Sequence, residues 1–521
     1  MNAKKFLFLI LIMSALLSML VWPIPSAAKP IGHNYHLSMR HLDLDGHNRL
    51  NTANHLGTVS QPILELPNAL ADVPLETTPS WTGEGNLASA YFGFSVGTAG
   101  DVNGDGYDDV IVGSHGYSNG QTNEGRVYVY YGSSSGISAS PDWMVESDQI
   151  NAELGYSVGT AGDVNGDGFS DVIIGARRYS NGQEYEGGAF VYHGSKTGLS
   201  NTPNWSAEGN KFNVWFGISV ATAGDVNNDG YDDVIVGVSN PVSAPECEST
   251  AYVYYGSDTG LSSSANWSKV FDQADACFGY SVATAGDVNG DGYSDVIIGA
   301  PYYENVQAEE GAAFVFQGSD TGLSSDPVWS AESDQADCYF GISVGTAGDV
   351  NNDGYDDVIV GAPYYTNDES EEGRVFVYLG SDSGLSTSVD WFIDGNQSGS
   401  EFGGSVGTAG DVNDDGYWDV LIGAPTYNGG YNREGSAFLY TGTASGLSVT
   451  ADWTTESDIS YAYYGNSVGT AGDVNGNGYS DVIVGAYGFD EFKGRAYVYH
   501  DSEESLSFEY IFLPFLSMAV P

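Results

Sequence analysis

Short apolar runs separated by polar, glycine-rich segments recur along most of this chain. A run of three apolar residues begins at Val110, and similar runs, all but one of them entirely β-branched, follow every 62 residues as far as Val482. Such short runs, ended by glycine, are typical of buried strands. The pattern therefore predicts an all-β protein built from repeats of equal length.

Each repeat contains four strand segments. A tryptophan segment opens it, and the first copy continues with strands near residues 92–96, 110–112 and 126–130. Tryptophan recurs at positions 81, 143, 205, 267, 329, 391 and 453. Four strands per unit and seven units predict a seven-bladed β-propeller over residues 79–505, because radially stacked sheets bury each other's faces. A linear β-solenoid is the alternative, although its repeats are usually shorter.

The ends of the repeat array suggest how the ring closes. The chain enters at a tryptophan strand and leaves after a third strand at residues 496–499. We therefore expect the Trp81 strand to complete the last blade, which removes an open sheet edge.

A nonapeptide with acidic character lies between the second and third strand segments of every repeat; we call these nonapeptides the acidic loops. Oxygen-bearing side chains stand at loop positions one, three, five and nine, and glycine stands at position six. Calcium takes six to eight oxygen ligands, and position seven can add its backbone carbonyl. The loops therefore predict up to seven Ca²⁺ sites, with metal-free Asx turns as the alternative.

The predicted ligands, in loop order, are Asp101, Asn103, Asp105, Tyr107, Asp109; Asp163, Asn165, Asp167, Phe169, Asp171; Asp225, Asn227, Asp229, Tyr231, Asp233; Asp287, Asn289, Asp291, Tyr293, Asp295; Asp349, Asn351, Asp353, Tyr355, Asp357; Asp411, Asn413, Asp415, Tyr417, Asp419; and Asp473, Asn475, Asn477, Tyr479, Asp481. An EF-hand is disfavoured, because strands flank the loops and position twelve of the first copy is Val112 instead of Glu. Asn477 leaves the seventh loop with two carboxylates, so we expect this loop to bind most weakly.

Two short motifs give the repeat a family resemblance. Phe-Gly stands at residues 92–93, 216–217, 278–279, 340–341 and 402–403, and Gly-Ala-Pro stands at 299–301, 361–363 and 423–425. The repeat resembles the FG-GAP repeats of the integrin α-subunit propeller and of related bacterial secreted proteins. This resemblance implies calcium in the loops joining the first two strands of each blade, and partner contacts from loops on the opposite face.

The segments outside the repeats indicate an exported protein. Residues 1–28 have the basic start, apolar stretch and small-residue cleavage site of a signal peptide, with an uncleaved membrane anchor as the alternative. Residues 29–78 have no repeat and predict a flexible linker or pro-segment. The apolar tail at 506–521 either packs under the last blade or acts as a sorting signal. We expect a secreted or cell-surface protein.

Charge narrows the choice of partners. The formal net charge is −54, and seven bound Ca²⁺ would cancel only part of it. Such acidity disfavours nucleic acid and anionic membrane surfaces as partners.

The three cysteines are Cys247, Cys277 and Cys338. A disulfide between Cys247 and Cys277 is the pairing that we predict, because they belong to adjoining repeats. Pairing of Cys277 with Cys338 and three free thiols stay open.

Function is expected on the face opposite the acidic loops, where tyrosine and asparagine are frequent. The candidates are Tyr117, Asn119, Tyr179, Asn181, Tyr302, Tyr303, Tyr364, Tyr365, Tyr427 and Tyr431. Aromatic rings beside amides suit a protein partner or a glycan, whereas packing between blades is the alternative. The resemblance favours an adhesion module that binds an extracellular protein; a lectin is the second hypothesis. A hydrolase or lyase is the third, and we do not predict an enzyme, because no nucleophile motif accompanies the histidines.

Overall fold

The part of the chain described by the computed structural model, residues 75–240 and 249–501, contains twenty-eight β-strands in seven four-stranded sheets. Residues 1–69 and 70–521 form separate units, and every described residue belongs to the second. The predicted signal peptide, residues 29–74 of the predicted linker, the tail at 506–521 and Cys247 lie outside the described residues.

The strands are β1 Trp81–Glu84, β2 Val96–Gly100, β3 Asp109–Ser114, β4 Arg126–Tyr130, β5 Trp143–Glu146, β6 Leu154–Gly162, β7 Asp171–Ala176, β8 Gly188–Tyr192, β9 Trp205–Glu208, β10 Phe216–Gly224, β11 Asp233–Val238, β12 Thr250–Tyr254, β13 Trp267–Val270, β14 Ser281–Gly286, β15 Asp295–Ala300, β16 Ala312–Phe316, β17 Trp329–Glu332, β18 Ser343–Gly348, β19 Asp357–Ala362, β20 Arg374–Tyr378, β21 Trp391–Asp394, β22 Ser405–Gly410, β23 Asp419–Ala424, β24 Ser436–Tyr440, β25 Trp453–Glu456, β26 Tyr464–Gly472, β27 Asp481–Ala486 and β28 Arg495–Tyr499. A 3₁₀ turn at Ala274–Ala276 and a short helix, α1, at Phe489–Phe492 complete the described elements.

Each sheet is one antiparallel blade of a propeller. Blades 1 to 6 use four consecutive strands each, from β2–β5 through β22–β25. Blade 7 has the order β1-β28-β27-β26, and Trp81 of β1 pairs with Val498 of β28. The predictions of seven blades and of ring closure through the Trp81 strand are therefore confirmed.

The hydrophobic core lies between the blades. Among the described residues, seven apolar clusters form, and each draws its side chains from two neighbouring blades. The second strand of every blade, such as β3, is buried along its whole length. Since both faces of this strand meet a neighbouring sheet, it carries the continuous apolar run seen in the sequence.

Tryptophans of the outer strands link each blade to the next. Trp81 Nε1 donates a hydrogen bond to the Ser138 carbonyl at 3.0 Å, and the other six tryptophans repeat this bond across the following junctions. At the last junction the acceptor is the carbonyl of Glu76, which precedes β1. Leu75, also before β1, is buried and forms an isolated antiparallel β-bridge with Asp501. The segment at residues 75 and 76 thus provides, at the last junction, the carbonyl acceptor that a turn provides at the other six.

A glycine at the end of each second strand allows the blades to approach closely. A Cβ built on Gly113 would lie 2.1 Å from the Gly155 carbonyl oxygen of the next blade, and the equivalent distances at the other six junctions are 1.9–2.1 Å. Gly113 and Gly155 stand at the positions that the glycines of the Gly-Ala-Pro and Phe-Gly motifs occupy in other repeats. The motifs are thus the two sides of one contact between blades.

We expect Gly113→Ala to lower the free energy of unfolding by about 1–3 kcal/mol or more, because the new methyl group overlaps backbone that cannot move alone. Gly97→Ala in the same blade is the matched control, since a Cβ there meets nothing within 4 Å. We expect the control to leave stability unchanged or to raise it by up to about 1 kcal/mol. Urea unfolding at constant calcium measures both, and equal midpoints for the two variants would contradict this packing.

Candidate functional site

The acidic loops all lie on one face of the propeller, because each joins the innermost strand of a blade to its second strand. In the first loop, Asp101 Oδ1 accepts the N–H groups of Gly104 and Asp105, and Oδ2 accepts the N–H of Gly106 at 2.8 Å. The bond from the glycine at position six to position one recurs at 2.8–2.9 Å in all seven loops. Position one therefore organises the turn.

The aspartate at position nine is the buried member of each set. Asp109 is fully buried; its Oδ2 accepts the N–H of Val102, and its Oδ1 accepts the N–H of Gly132 in a neighbouring turn. Burial, followed by repulsion from Asp101 and Asp105, raises the pKa of Asp109 to about 8. The other six position-nine aspartates have pKa values raised to about 7 or 8, again chiefly by burial. A cation would compensate this buried charge.

The loop carboxylates face backbone N–H groups more than they face each other. Among the described residues, sets of three carboxylates with oxygens within 4.8 Å of one another occur in three places, none of them in an acidic loop. Two buried loop oxygens, Asn227 Oδ1 and Asp481 Oδ1, have no hydrogen-bond partner. The oxygen-only donor set and these unpartnered atoms fit a hard cation such as Ca²⁺.

Neighbouring acidic loops are joined by backbone hydrogen bonds. The N–H of Ser170, at position eight of the second loop, donates to the carbonyl of Asp101 at 3.0 Å. The equivalent bond occurs at all seven junctions, including the bond from Asp108 to Asp473 that closes the ring. Order in one loop is therefore coupled to order in the next.

The seventh loop differs in its surroundings as well as in its sequence. Asn477 Nδ2 donates to Asp501 Oδ1 at 2.5 Å. Asp501 follows β28 and takes the place that glycine holds in the other blades. Its carboxylate lies beside a loop that itself supplies only two. The weaker binding that we expect of this loop stays a prediction.

The candidate tyrosines on the opposite face fall into two groups. Tyr179, Tyr303, Tyr365 and Tyr427 lie 5.2–5.9 Å, centroid to centroid, from a phenylalanine of the third strand of their own blade. Tyr117 is buried in the equivalent position under Arg126. These five pack within the blade.

The second group lies near the propeller axis. Tyr302 and Tyr364 lie 5.0 and 5.2 Å from the ring of Tyr339, and all three rings are partly exposed. Tyr431 is half exposed at the edge of the same face, and Asn119 and Asn181 are exposed, each donating to the last residue of its outer strand.

A ring of seven left-handed residues surrounds the axis on the opposite face, and of these only Cys277 was named by the sequence analysis, as a disulfide candidate. One residue with φ of 53–58° precedes the innermost strand segment of every blade. They are Tyr91, Glu153, Trp215, Cys277, Tyr339, Glu401 and Tyr463. The signal available in the sequence was the position directly before each Phe-Gly motif.

Two arginines of blade 2 add positive charge to this ring. Glu153 is buried and forms ion pairs with Arg177 at 2.6 Å and Arg178 at 2.7 Å. The Arg177 guanidinium lies 3.6 Å from the Tyr156 ring centroid and 4.6 Å from that of Trp215. The opposite face therefore presents stacked cation–π pairs in an otherwise acidic protein.

His115 lies in the aromatic cluster next to these arginines. Its ring stacks on Tyr91 at 5.0 Å and meets Phe94 and Tyr156 edge-on. Burial, reinforced by Arg177 and Arg178, lowers the pKa of His115 to about 3, and its Nδ1 has no hydrogen-bond partner. The imidazole is neutral at physiological pH.

The structure gives the bonding state of two of the three cysteines. Cys277 is disulfide-bonded, whereas Cys338 is a buried free thiol. The alternative pairing of Cys277 with Cys338 is therefore not formed. Because Cys247 lies outside the described residues, its pairing with Cys277 stays a prediction.

In the part of the chain that the structure describes, no helix has the length and apolar character needed to cross a bilayer.

Comparison with known families identifies the repeat. Residues 92–130, 154–192, 216–247, 278–316, 340–378 and 464–499 match the FG-GAP repeat. The six segments fall in blades 1 to 5 and blade 7. Blade 6 has the same four-stranded sheet without a match.

Curated relatives are integrin α chains. The chain is 34% identical to integrin alpha-5 of Xenopus laevis over 247 residues, which is 45% of this chain and 22% of that protein. It is 33% identical to integrin alpha-4 of Xenopus laevis over 213 residues, 40% of this chain and 20% of that protein. The chain thus matches about a fifth of the length of these relatives. A solved structure of BBS1N in complex with ARL6DN, soaked with mercury, covers 83% of this chain and 98% of its own, with a TM-score of 0.48 and 8% identity.

The lowered pKa of His115 predicts a pH-dependent stability. An unfolded chain binds a proton near pH 6.5 that the folded protein does not bind until about pH 3. The free energy of unfolding therefore falls as pH falls from 6.5, by up to about 1.4 kcal/mol per pH unit. His115→Phe is expected to lack this contribution. Urea unfolding of both proteins between about pH 5 and 7 measures the difference, and parallel curves would show that His115 is not responsible.

Proposed function

Because this chain carries an integrin α-like FG-GAP propeller, we propose that it is an extracellular recognition or adhesion module. In this proposal, calcium in the acidic loops stabilises the ring, and a protein partner binds the opposite face. The chain spans only part of its integrin relatives, so the partner is inferred from the chemistry of that face.

The ring of left-handed residues is the observation that carries the proposal. Its backbone is the same in every blade, whereas its side chains differ: four are partly exposed and three are buried. The exposed four are Tyr91, Tyr339, Glu401 and Tyr463. Left-handed residues other than glycine are uncommon and cluster at functional sites. A rigid frame that presents varied side chains is how many binding surfaces are built.

The composition of this surface suits a protein partner. Aromatic rings and arginine, here the partly exposed Tyr339, Tyr364 and Arg177, supply most of the binding energy in many protein interfaces. The exposed Tyr302–Tyr339–Tyr364 group also suits stacking on a sugar, so a lectin is the second candidate. The proposal includes no catalytic step.

The calcium part of the proposal rests on the donor set of the loops. Side-chain oxygens at positions one, three, five and nine, with the carbonyl at position seven, would hold the ion. Calcium would neutralise the buried aspartate at position nine and draw the loop together. Since backbone bonds join each loop to the next, a bound ion would also stabilise the neighbouring junction.

Removal of calcium is expected to lower the melting temperature by about 3–10 °C. At about 1 mM calcium and dissociation constants of about 10⁻⁴–10⁻³ M, each site contributes about 0.4–1.4 kcal/mol, and up to seven contributions add. Calorimetry with and without excess chelator measures the shift. An identical melting curve in chelator would refute calcium stabilisation.

A single loop is tested by Asp353→Asn, which removes one carboxylate at position five. The calcium-dependent gain in stability should fall by up to about 1.4 kcal/mol, the contribution of one site. Asp368→Asn is the matched control, because Asp368 is exposed in a loop on the opposite face.

Partner binding is expected to depend on the axial tyrosines. The full chain, in millimolar calcium, is applied to a glycan array and to a panel of purified extracellular matrix proteins. We expect binding to a matrix protein that weakens at least tenfold in Tyr364→Ala, since loss of a central aromatic contact costs about 2 kcal/mol or more. Trp418→Ala is the control, because this tryptophan is 42% exposed in the sixth acidic loop.

The same experiment separates the alternatives. Binding to a defined glycan that is lost in Tyr364→Ala would support the lectin instead. Binding that is lost in Trp418→Ala and kept in Tyr364→Ala would place the partner on the acidic loops and refute the proposed face.

A further inference from the structure

A buried glutamate recurs on the opposite face, directly before the third strand of five blades. The five are Glu124, Glu186, Glu310, Glu372 and Glu434, and each is at most 1% exposed. Oε1 of Glu310 accepts the N–H of Asn305 at 2.7 Å, and the glutamates of blades 1, 2 and 5 make the equivalent bond. In blade 6, Glu434 Oε1 accepts the N–H of Gly430, one position further along the loop. One carboxylate oxygen thus holds the preceding loop.

The second oxygen of this glutamate is left without a partner in four blades. Oε2 of Glu124, Glu310, Glu372 and Glu434 is buried and has no hydrogen bond. A buried carboxylate oxygen without a donor is costly, and the cost is largest where no positive charge lies nearby.

In three blades the glutamate meets two further carboxylates. The groups are Glu124 with Glu146 and Asp148, Glu310 with Glu332 and Asp334, and Glu434 with Glu456 and Asp458. In each group, one oxygen per residue lies within 4.8 Å of the others. Calcium–oxygen bonds of about 2.4 Å place opposite ligands about 4.8 Å apart, so one ion can reach all three.

Blade 1 shows what fills such a group. Arg126 lies two residues after Glu124 and pairs with Glu146, and its side chain is only 12% exposed. In blade 5, Arg374 pairs with Asp394 in the same way at 2.6 Å. A guanidinium therefore supplies the positive charge in these blades.

Blades 4 and 6 lack this arginine. The equivalent residues are Ala312 and Ser436, which carry no charge. Among the described residues, no lysine or arginine pairs with the carboxylates of these two groups.

We propose that Glu310, Glu332 and Asp334 bind one hard divalent cation, with Ca²⁺ the best fit, and that Glu434, Glu456 and Asp458 bind another. These sites lie on the face opposite the acidic loops. In blades 4 and 6, the ion supplies the positive charge that Arg126 supplies in blade 1. Asp334, Glu456 and Asp458 are exposed, so the remaining coordination positions face solvent.

Ion counting tests the proposal on the full chain. Equilibrium dialysis against millimolar calcium is expected to give two fewer bound ions for the Glu332→Gln/Glu456→Gln double variant than for the wild type. Glu146→Gln is the matched control, because its group already holds Arg126, and it should bind the wild-type number. The wild-type number in the double variant would overturn the proposal.

A gain of arginine provides a second route to the same result. Ala312→Arg and Ser436→Arg copy the arrangement of blade 1, and each is expected to lose one ion. Circular dichroism checks folding; if either chain fails to fold, the double variant decides alone.

Crystals grown with Mn²⁺ locate the ions. Anomalous difference peaks are expected between the three carboxylates of blades 4 and 6, and no peak is expected in blade 1. The absence of peaks in both blades would overturn the proposal independently of the variants.

Discussion

The contact between two glycines at each junction is the constraint on which the rest of this propeller depends. A methyl group at Gly113 would lie 2.1 Å from the backbone of the next blade, so only glycine permits this spacing. At this distance the two sheets bury their apolar faces against each other. The same approach brings the acidic loops of neighbouring blades within reach of a backbone hydrogen bond. The close glycine contact therefore accounts for both the apolar core between blades and the hydrogen bonds between neighbouring acidic loops.

Close packing of acidic blades creates a charge problem that the chain solves in more than one way. In blade 2, Arg177 and Arg178 enclose the buried Glu153. In blades 1 and 5, one arginine pairs with the acidic end of the outer strand. In blades 4 and 6, where this arginine is missing, no lysine or arginine among the described residues pairs with the carboxylates, and the proposed cations would supply the compensating charge. In this proposal, cation binding is a consequence of how the blades pack.

The sequence was sufficient for the fold because every blade repeats the same local rules. Strand bounds, the tryptophan positions and the role of the Trp81 strand all follow from a period without insertions between the loops. The functional surface was harder to predict. Tyr303 and Tyr365 resemble ligand residues by composition, yet they pack on Phe314 and Phe376. Their neighbours Tyr302 and Tyr364 reach the axis instead.

The left-handed ring was missed, because residue types such as Trp215 and Tyr339 rarely adopt positive φ. The acidic groups were missed for another reason. Glu310, Glu332 and Asp334 belong to one blade but meet only after its loops fold back. The absence of a charge at Ala312 has meaning only when this residue is compared with the equivalent Arg126 of blade 1. These features depend on comparison between blades in space.

The pairing of β1 with β28 also determines the order in which the blades can form during synthesis. Blades 1 to 6 use consecutive strands, so each can form while the chain is still being synthesised. Blade 7 must wait, because Trp81 finds its partner Val498 only when nearly the whole chain exists. Until then, β1 has no partner strand, and the blades already formed make an incomplete ring whose first and last blades are exposed. Completion of the last strand is therefore the event that turns an aggregation-prone array into a closed ring.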